Sequence, residues 1–159
     1  MKTAAAWLLS LAFAHSVGVG TALGQDKKFG GPTPAPGGAT VYFIDLKDGA
    51  TVGPTTTVHF GLRGMGVAPA GLDKADSGHH HLLIDVELPP LDRPIPNDFN
   101  HLHFGAGQTE ADVKLAPGAH TLQLLLGDKN HVPHSPPVMS ERIRVTVTDS
   151  REEIGRAHV

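Results

Sequence analysis

The 159-residue chain contains no cysteine, so it can form neither a disulfide nor a thiolate metal site. Aromatic residues make up only 5% of it, and 13 Lys and Arg stand against 16 Asp and Glu. These charges are scattered, which excludes the basic footprint expected of a nucleic-acid-binding protein. Gly-x-Ser-x-Gly, His-Glu-x-x-His and glycine-rich phosphate-binding motifs are also absent. We therefore expect a protein that is not an enzyme.

The chain is rich in turn-forming residues and in histidine. It has 19 Gly, 13 Pro and 11 His. Glycine and proline in these numbers, between short apolar runs, are typical of a turn-rich β protein. The length suggests one folded domain with terminal extensions.

The N-terminus has the pattern of a secretory signal. Lys2 is followed by an apolar run over residues 4–13 and by the small residues around Gly24. This pattern predicts a signal peptide over residues 1–24 that is removed on export. The apolar run is too short for a membrane anchor, so we expect no membrane span after cleavage. The expected location is periplasmic or secreted.

Two further segments lie outside the predicted domain, which covers residues 39–149. Residues 25–38 are polar and rich in Pro and Gly, which predicts a flexible leader. Residues 150–159 form a tail whose last part, from Ile154, matches one translated frame of a common sequencing adapter. We interpret that part as a read-through artefact and do not count His158 as a ligand.

Short strand-like runs alternate with turn signals throughout residues 39–149. Apolar residues recur at every second position in several of these runs, as in strands with one buried face. The pattern predicts an all-β fold, an immunoglobulin-like antiparallel β-sandwich of about seven strands. The alternation places the following residues in its core: Val58, Phe60, Leu82, Ile84, Leu122, Leu124, Val145 and Val147.

A run of three histidines opens one of these strands, Gly78-His79-His80-His81-Leu82-Leu83-Ile84-Asp85-Val86. Side chains alternate along a strand, so one face should be more apolar and point to the core. That face carries His80, Leu82, Ile84 and Val86. His79 and His81 should then project together from the other face, with Leu83 and Asp85.

Histidines from two other segments should approach His79 and His81. His101 and His103 lie near the end of the next strand, and His131 and His134 lie in the connection between strands six and seven. In a seven-stranded sandwich these segments meet at one end. The sequence therefore predicts a metal site, with ligands drawn from His79, His81, His101, His103, His131 and His134. Imidazoles without thiolates favour copper or zinc, and we expect binding to weaken below about pH 6–7 as imidazole protonates.

The remaining candidates have structural interpretations. His120 follows Pro117-Gly118, where many immunoglobulin-like modules carry a Tyr, so we expect it to hydrogen-bond to the backbone of a corner. His59 should be a solvated strand residue. Met65 and Met139 could offer soft thioethers to Cu(I), or could simply fill gaps in the packing. Asp128 could orient an imidazole or cap a turn.

Three motifs together resemble a bacterial family, domain of unknown function 4399. They are Gly64-Met65-Gly66-Val67-x-Pro69-Ala70-Gly71, Gly78 to Asp85, and Pro117 to Asp128 followed by His131-x-Pro133-His134. The resemblance runs from about Val41 to Val147. It implies a small exported domain and supplies no established activity.

Two functions remain open on the sequence. The first is a metal-binding protein whose partners are the metal ion and another periplasmic protein. The alternative is a structural module that binds a protein or a glycan and no metal.

Overall fold

The computed structural model describes residues 30–149, and the predicted signal peptide, the start of the leader and the tail from residue 150 lie outside this range. Residues 30–149 contain nine strands and no helix, so this part has no helix that could cross a membrane. The strands are β1 (Thr40–Phe43), β2 (Ala50–Val52), β3 (Thr55–Arg63), β4 (Gly66–Val67), β5 (Ser77–Ile84), β6 (His101–His103), β7 (Glu110–Lys114), β8 (Gly118–Gly127) and β9 (Ile143–Val147).

The strands form two sheets, and the predicted all-β fold is confirmed. One sheet has the order β1-β3-β7, and the larger has the order β2-β9-β8-β5-β4, with β6 also paired to β5. Most neighbours are antiparallel, but β2 pairs with β9 and β4 pairs with β5 in parallel. These two short strands are the ones that the sequence did not predict. Strands of three and two residues are too short to show alternation.

The main core joins the inner faces of both sheets. All eight residues predicted from alternation belong to its buried cluster, which confirms the face assignment. Phe60 of β3 packs against Phe104, with ring centroids 4.7 Å apart. Leu82 of β5 and Leu124 of β8 stand opposite each other in the register and are fully buried.

A second, smaller core covers the other face of β5, so that every residue of this strand is buried. It consists of Leu83, Leu125 and Ile95, the last from the segment between β5 and β6. Val86 packs against this cluster and not against the main core, which corrects our prediction. The reason is Asp85, whose left-handed backbone (φ 58°) ends the strand and interrupts the alternation.

Part of the predicted leader is bound to the domain. The backbone N–H of Ala35 donates to the Ser135 carbonyl (3.1 Å), and the N–H of Ser135 donates to the Thr33 carbonyl (2.9 Å). The Thr33 hydroxyl also donates to an Asp128 carboxylate oxygen at 2.6 Å. Residues 33–35 therefore fasten the loop that follows β8.

Candidate metal centre

His79 and His81 project from the same face of β5, as alternation predicts. Their ring centroids are 4.8 Å apart, and the two side chains are 0% and 1% exposed. His103 comes from β6, where it stands directly opposite His81 in the antiparallel register. One ring nitrogen from each of these three histidines lies within 4.8 Å of those from the other two. We call His79, His81 and His103 the histidine triad.

A fourth imidazole, that of His131, lies beside the triad. Its ring centroid is 4.7 Å from that of His103, 5.0 Å from that of His79 and 6.1 Å from that of His81. It comes from the loop after β8 and has a left-handed backbone (φ 67°), which is uncommon for a residue with a side chain. The loop accordingly presents this ring at the partly exposed side of the triad, next to His103.

Asp128 fixes the conformation of that loop. Its Oδ1 atom accepts hydrogen bonds from the backbone N–H groups of Asn130 (2.8 Å) and Val132 (3.0 Å). Its Oδ2 atom accepts the Thr33 hydroxyl described above. Of the two roles considered for Asp128, the capping of a turn is the one that these contacts support. It thereby positions His131 through the backbone.

The ring nitrogens of His79 and His81 have no hydrogen-bond partner among residues 30–149, and neither does Nε2 of His103. A neutral imidazole carries one donor and one acceptor. Leaving such a group buried and unpaired costs about 1–3 kcal/mol. Unpaired nitrogens that lie within 4.8 Å of one another are costly to the fold alone, yet their lone pairs can bind a transition metal. The residues of the triad therefore fit a metal ion.

The surroundings keep these rings neutral. Burial, together with the positive charges that His131 and His103 would carry, lowers the pKa of His79 to about 4. Burial likewise lowers the pKa of His81 to about 2, and it lowers the pKa of His103. The lowered pKa values indicate that His79 and His81 stay neutral below pH 6 in the metal-free fold. Our expectation that metal binding weakens near pH 6–7 stays a prediction.

Two glycines make room for the rings of the triad. A Cβ atom on Gly127 would lie 2.7 Å from Cε1 of His81, and one on Gly105 would overlap the His103 ring. Neither glycine was a predicted site residue. A glycine two positions after His103 is visible in the sequence, but its purpose appears only once the positions of the rings are known.

Three of the six predicted ligands are not members of the triad: His131, which lies beside it, His101 and His134. His101 stands two residues before His103 on β6, opposite Leu83, and its Nδ1 atom is 2.8 Å from an Asp98 carboxylate oxygen. His134 is buried, with Nε2 3.3 Å from the Ser77 carbonyl oxygen, and its ring lies against Gly78. His101 and His134 thus have other contacts that account for their positions.

His120 occupies the corner position that we expected. Its Nε2 atom is 2.8 Å from the Ala116 carbonyl oxygen, and its Nδ1 atom is 2.6 Å from an Asp85 carboxylate oxygen. Because both ring nitrogens face acceptors, the protonated ring satisfies both. The hydrogen bond to Asp85 raises the pKa of His120 against the opposing effect of burial.

The other residues singled out in the sequence lie away from the triad. His59 is partly exposed between Asp45 and Glu110. Met65 packs against the main core, in agreement with a gap-filling role, and Met139 is 39% exposed. His80 points into the main core, with its ring centroid 5.1 Å from that of Phe60.

Comparison with known proteins places the chain in a family without an assigned activity. A family model described as "Domain of unknown function (DUF4399)" matches residues 58–148. No curated protein matches the chain. Among solved structures, it is similar to the endo-beta-1,4-mannanase from Thermotoga petrophila, with 17% identity and a TM-score of 0.40. The match covers 70% of this chain and 20% of that one, so it spans only a fraction of the mannanase and carries no argument about function.

Proposed function

We propose that this chain, which belongs to the DUF4399 family, is a small periplasmic protein that binds a transition metal, copper or zinc, through the histidine triad. The observation that carries the proposal is the set of buried, unpartnered ring nitrogens on β5 and β6. A metal ion would satisfy one nitrogen of each ring in the triad, since each neutral imidazole donates one lone pair.

A purely structural role for these rings is harder to support. Buried polar groups in native proteins are nearly always hydrogen-bonded. His101 and His120 follow this rule, because each has an acceptor at hydrogen-bond distance. His134 follows it at Nε2, whereas its Nδ1 has no partner within residues 30–149. His79 and His81 depart from it on every ring nitrogen within the described residues. His80 also lacks partners on both ring nitrogens, but its ring points into the main core beside Phe60. What favours a ligand role for the triad is that one nitrogen from each of its three rings lies within 4.8 Å of the other two.

The proposal assigns a binding role and not catalysis. His79 and His81 are almost completely shielded from solvent, whereas a catalytic metal keeps an open position for water or substrate. Export is proposed from the N-terminal pattern of a positive residue, an apolar run and small residues. N-terminal sequencing of protein recovered from the periplasmic fraction would test it, with Gln25 as the expected first residue.

Metal binding can be tested by titrating the exported protein, without a histidine tag, against chromophoric chelators loaded with Zn(II) or copper. We expect the double variant His79→Ala/His81→Ala and the single variant His103→Ala to lose affinity by at least about 100-fold, or about 2.7 kcal/mol. His59→Ala is the matched control, because His59 lies on β3 with acidic neighbours and away from the triad. Circular dichroism would establish that each variant is folded.

The decisive variant is His103→Ala, whose partly exposed ring can be removed with little effect on the core. Equal metal affinity in wild type, His103→Ala and His59→Ala would overturn the proposal. Absence of binding by the wild type to either metal would do the same.

A further inference from the structure

We infer that the centre selects monovalent copper, Cu(I), held by three nitrogens from His79, His81 and His103. This inference rests on the proposed metal-binding function and adds to it the charge and the coordination number of the ion. Three features of the described structure support it: the charge of the donors, the burial of the triad and the position of His131.

The donors carry no negative charge. The group that could hold an ion contains three imidazoles and no carboxylate. Asp128 is the acid whose charge acts on His79, but its oxygens already accept hydrogen bonds from Thr33, Asn130 and Val132. A divalent ion bound by neutral ligands would keep its full charge. The solvation energy lost on burial grows with the square of the charge, so it is about four times greater for a dication than for a monocation.

The triad lies in an apolar part of the protein, which makes that difference matter. His81 stands opposite Leu125 in the ladder between β5 and β8. Leu125 belongs to the smaller core with Leu83 and Ile95, on the face of β5 that carries the triad. Both His79 and His81 are buried, so solvent screens a charge there only from the side of His103. A low-dielectric position of this kind penalises a double charge most.

The number of converging nitrogens also favours Cu(I). Zinc sites in proteins are nearly always tetrahedral, with a fourth protein ligand or a water. The His131 ring lies close to His103 and His79, but its centroid is 6.1 Å from that of His81 and its nitrogens fall outside the group of three. Its backbone is fixed by hydrogen bonds at its N–H group, to the Asp128 carbonyl, and at its carbonyl, from Ile95. Cu(I), a singly charged ion with a filled d shell, is stable with three nitrogen donors.

Thioethers do not supply this selectivity. Met65 packs against the main core, whereas the triad projects from the opposite face of β5. Met139 is exposed and lines a cavity of about 270 Å³ beside β1. The preference for Cu(I) would come from charge and coordination number alone, so the methionine variants should bind it as the wild type does.

The test is an anaerobic competition of the exported protein against a colorimetric Cu(I) chelator, with a parallel Zn(II) competition. We expect one Cu(I) per chain, bound at least about 100-fold more tightly than Zn(II). His103→Ala should lose at least about 100-fold in Cu(I) affinity, whereas His131→Ala should stay within about threefold of the wild type. X-ray absorption on the loaded protein should show three nitrogen neighbours and no sulfur.

The possible outcomes separate this inference from the proposed function. If Zn(II) or Cu(II) binds through the triad more tightly than Cu(I), the inference is overturned and metal binding stands. If His131→Ala weakens Cu(I) binding as much as His103→Ala does, the three-coordinate assignment is overturned. If the wild type binds none of these ions, both the inference and the proposed function are overturned.

Discussion

Replacing Gly127 by alanine should disturb the triad from within. The added Cβ atom would lie 2.7 Å from Cε1 and 3.1 Å from Nδ1 of His81, whereas ordinary contacts begin at about 3.4 Å. The His81 ring would have to retreat by roughly 0.7 Å, but it is 1% exposed and has His79 and His103 as neighbours. Overpacking of this kind costs about 1–3 kcal/mol.

The assay is urea denaturation of the metal-free protein at pH 7.5, combined with chelator competition. We expect Gly127→Ala to lower the free energy of unfolding by about 1–3 kcal/mol. Metal affinity should fall at least tenfold, about 1.4 kcal/mol, since the His81 ligand atom is displaced.

Gly66→Ala is the matched control for this change. Gly66 is also a strand glycine, but it is exposed, and a Cβ atom there would meet only the Asp76 carbonyl oxygen at 3.9 Å. We expect it to leave metal affinity unchanged and to stabilise the fold slightly, by about 0.4–1 kcal/mol. If Gly127→Ala behaves like Gly66→Ala in both measurements, the reasoning about the crowding of the rings is refuted.

Three further changes test the rest of the structure. Leu124→Ala should lower the free energy of unfolding by about 2–5 kcal/mol in urea denaturation, because Leu124 is fully buried in the main core; a loss below about 1 kcal/mol would contradict that packing. His120→Ala should lower the free energy of unfolding by about 1–3 kcal/mol at pH 5.5 and by less at pH 9. The raised pKa of His120 gives stability that is fully present below about pH 6.5 and is lost as pH rises through the pKa in the folded protein. A loss independent of pH would show that the ion pair with Asp85 does not contribute. Because the pKa of His81 is lowered, it should make the metal-free wild type lose about 2 kcal/mol of stability between pH 7.5 and pH 5, and His81→Leu should lack this loss. An unchanged pH profile in urea denaturation would count against burial of a neutral His81.

The main core could be predicted from sequence because side chains alternate along a strand, which assigns faces even where both faces are buried, as in β5. Phe60, Leu82 and Leu124 lie on strands of eight to ten residues, long enough for this assignment. The prediction was wrong at Val86, because the left-handed backbone of Asp85 turns Val86 to the face of the smaller core. Aspartate tolerates that conformation, but nothing in the local sequence requires it.

The site could be predicted only in part. The sequence predicts that His79 and His81 share a face and that the neighbouring strand brings His103 to them. Side-chain alternation and strand pairing depend on the backbone alone. The orientation of the His101 ring depends on Asp98, three residues earlier, whose carboxylate lies at hydrogen-bond distance from Nδ1. The position of His134 depends on how its loop turns toward the Ser77 carbonyl. Spacing along the chain does not determine such loop and side-chain orientations.

The central position of β5 determines how slowly the candidate ligands His79 and His81 can become exposed to solvent. The strand is hydrogen-bonded to β8 along one edge and to β4 and β6 along the other, and all its residues are buried. Amide hydrogens in such a strand exchange with solvent only when the whole domain opens, whereas most binding loops open locally.

Release of an ion from His79 and His81 by strand opening would therefore need global unfolding. An ion at 100 times its dissociation constant would slow that opening by raising the free energy of unfolding by about 2.7 kcal/mol. Deuterium uptake by residues 79–83 and dissociation of the ion should then have a common rate-limiting event, unless a partner withdraws the ion along the exposed side of His103.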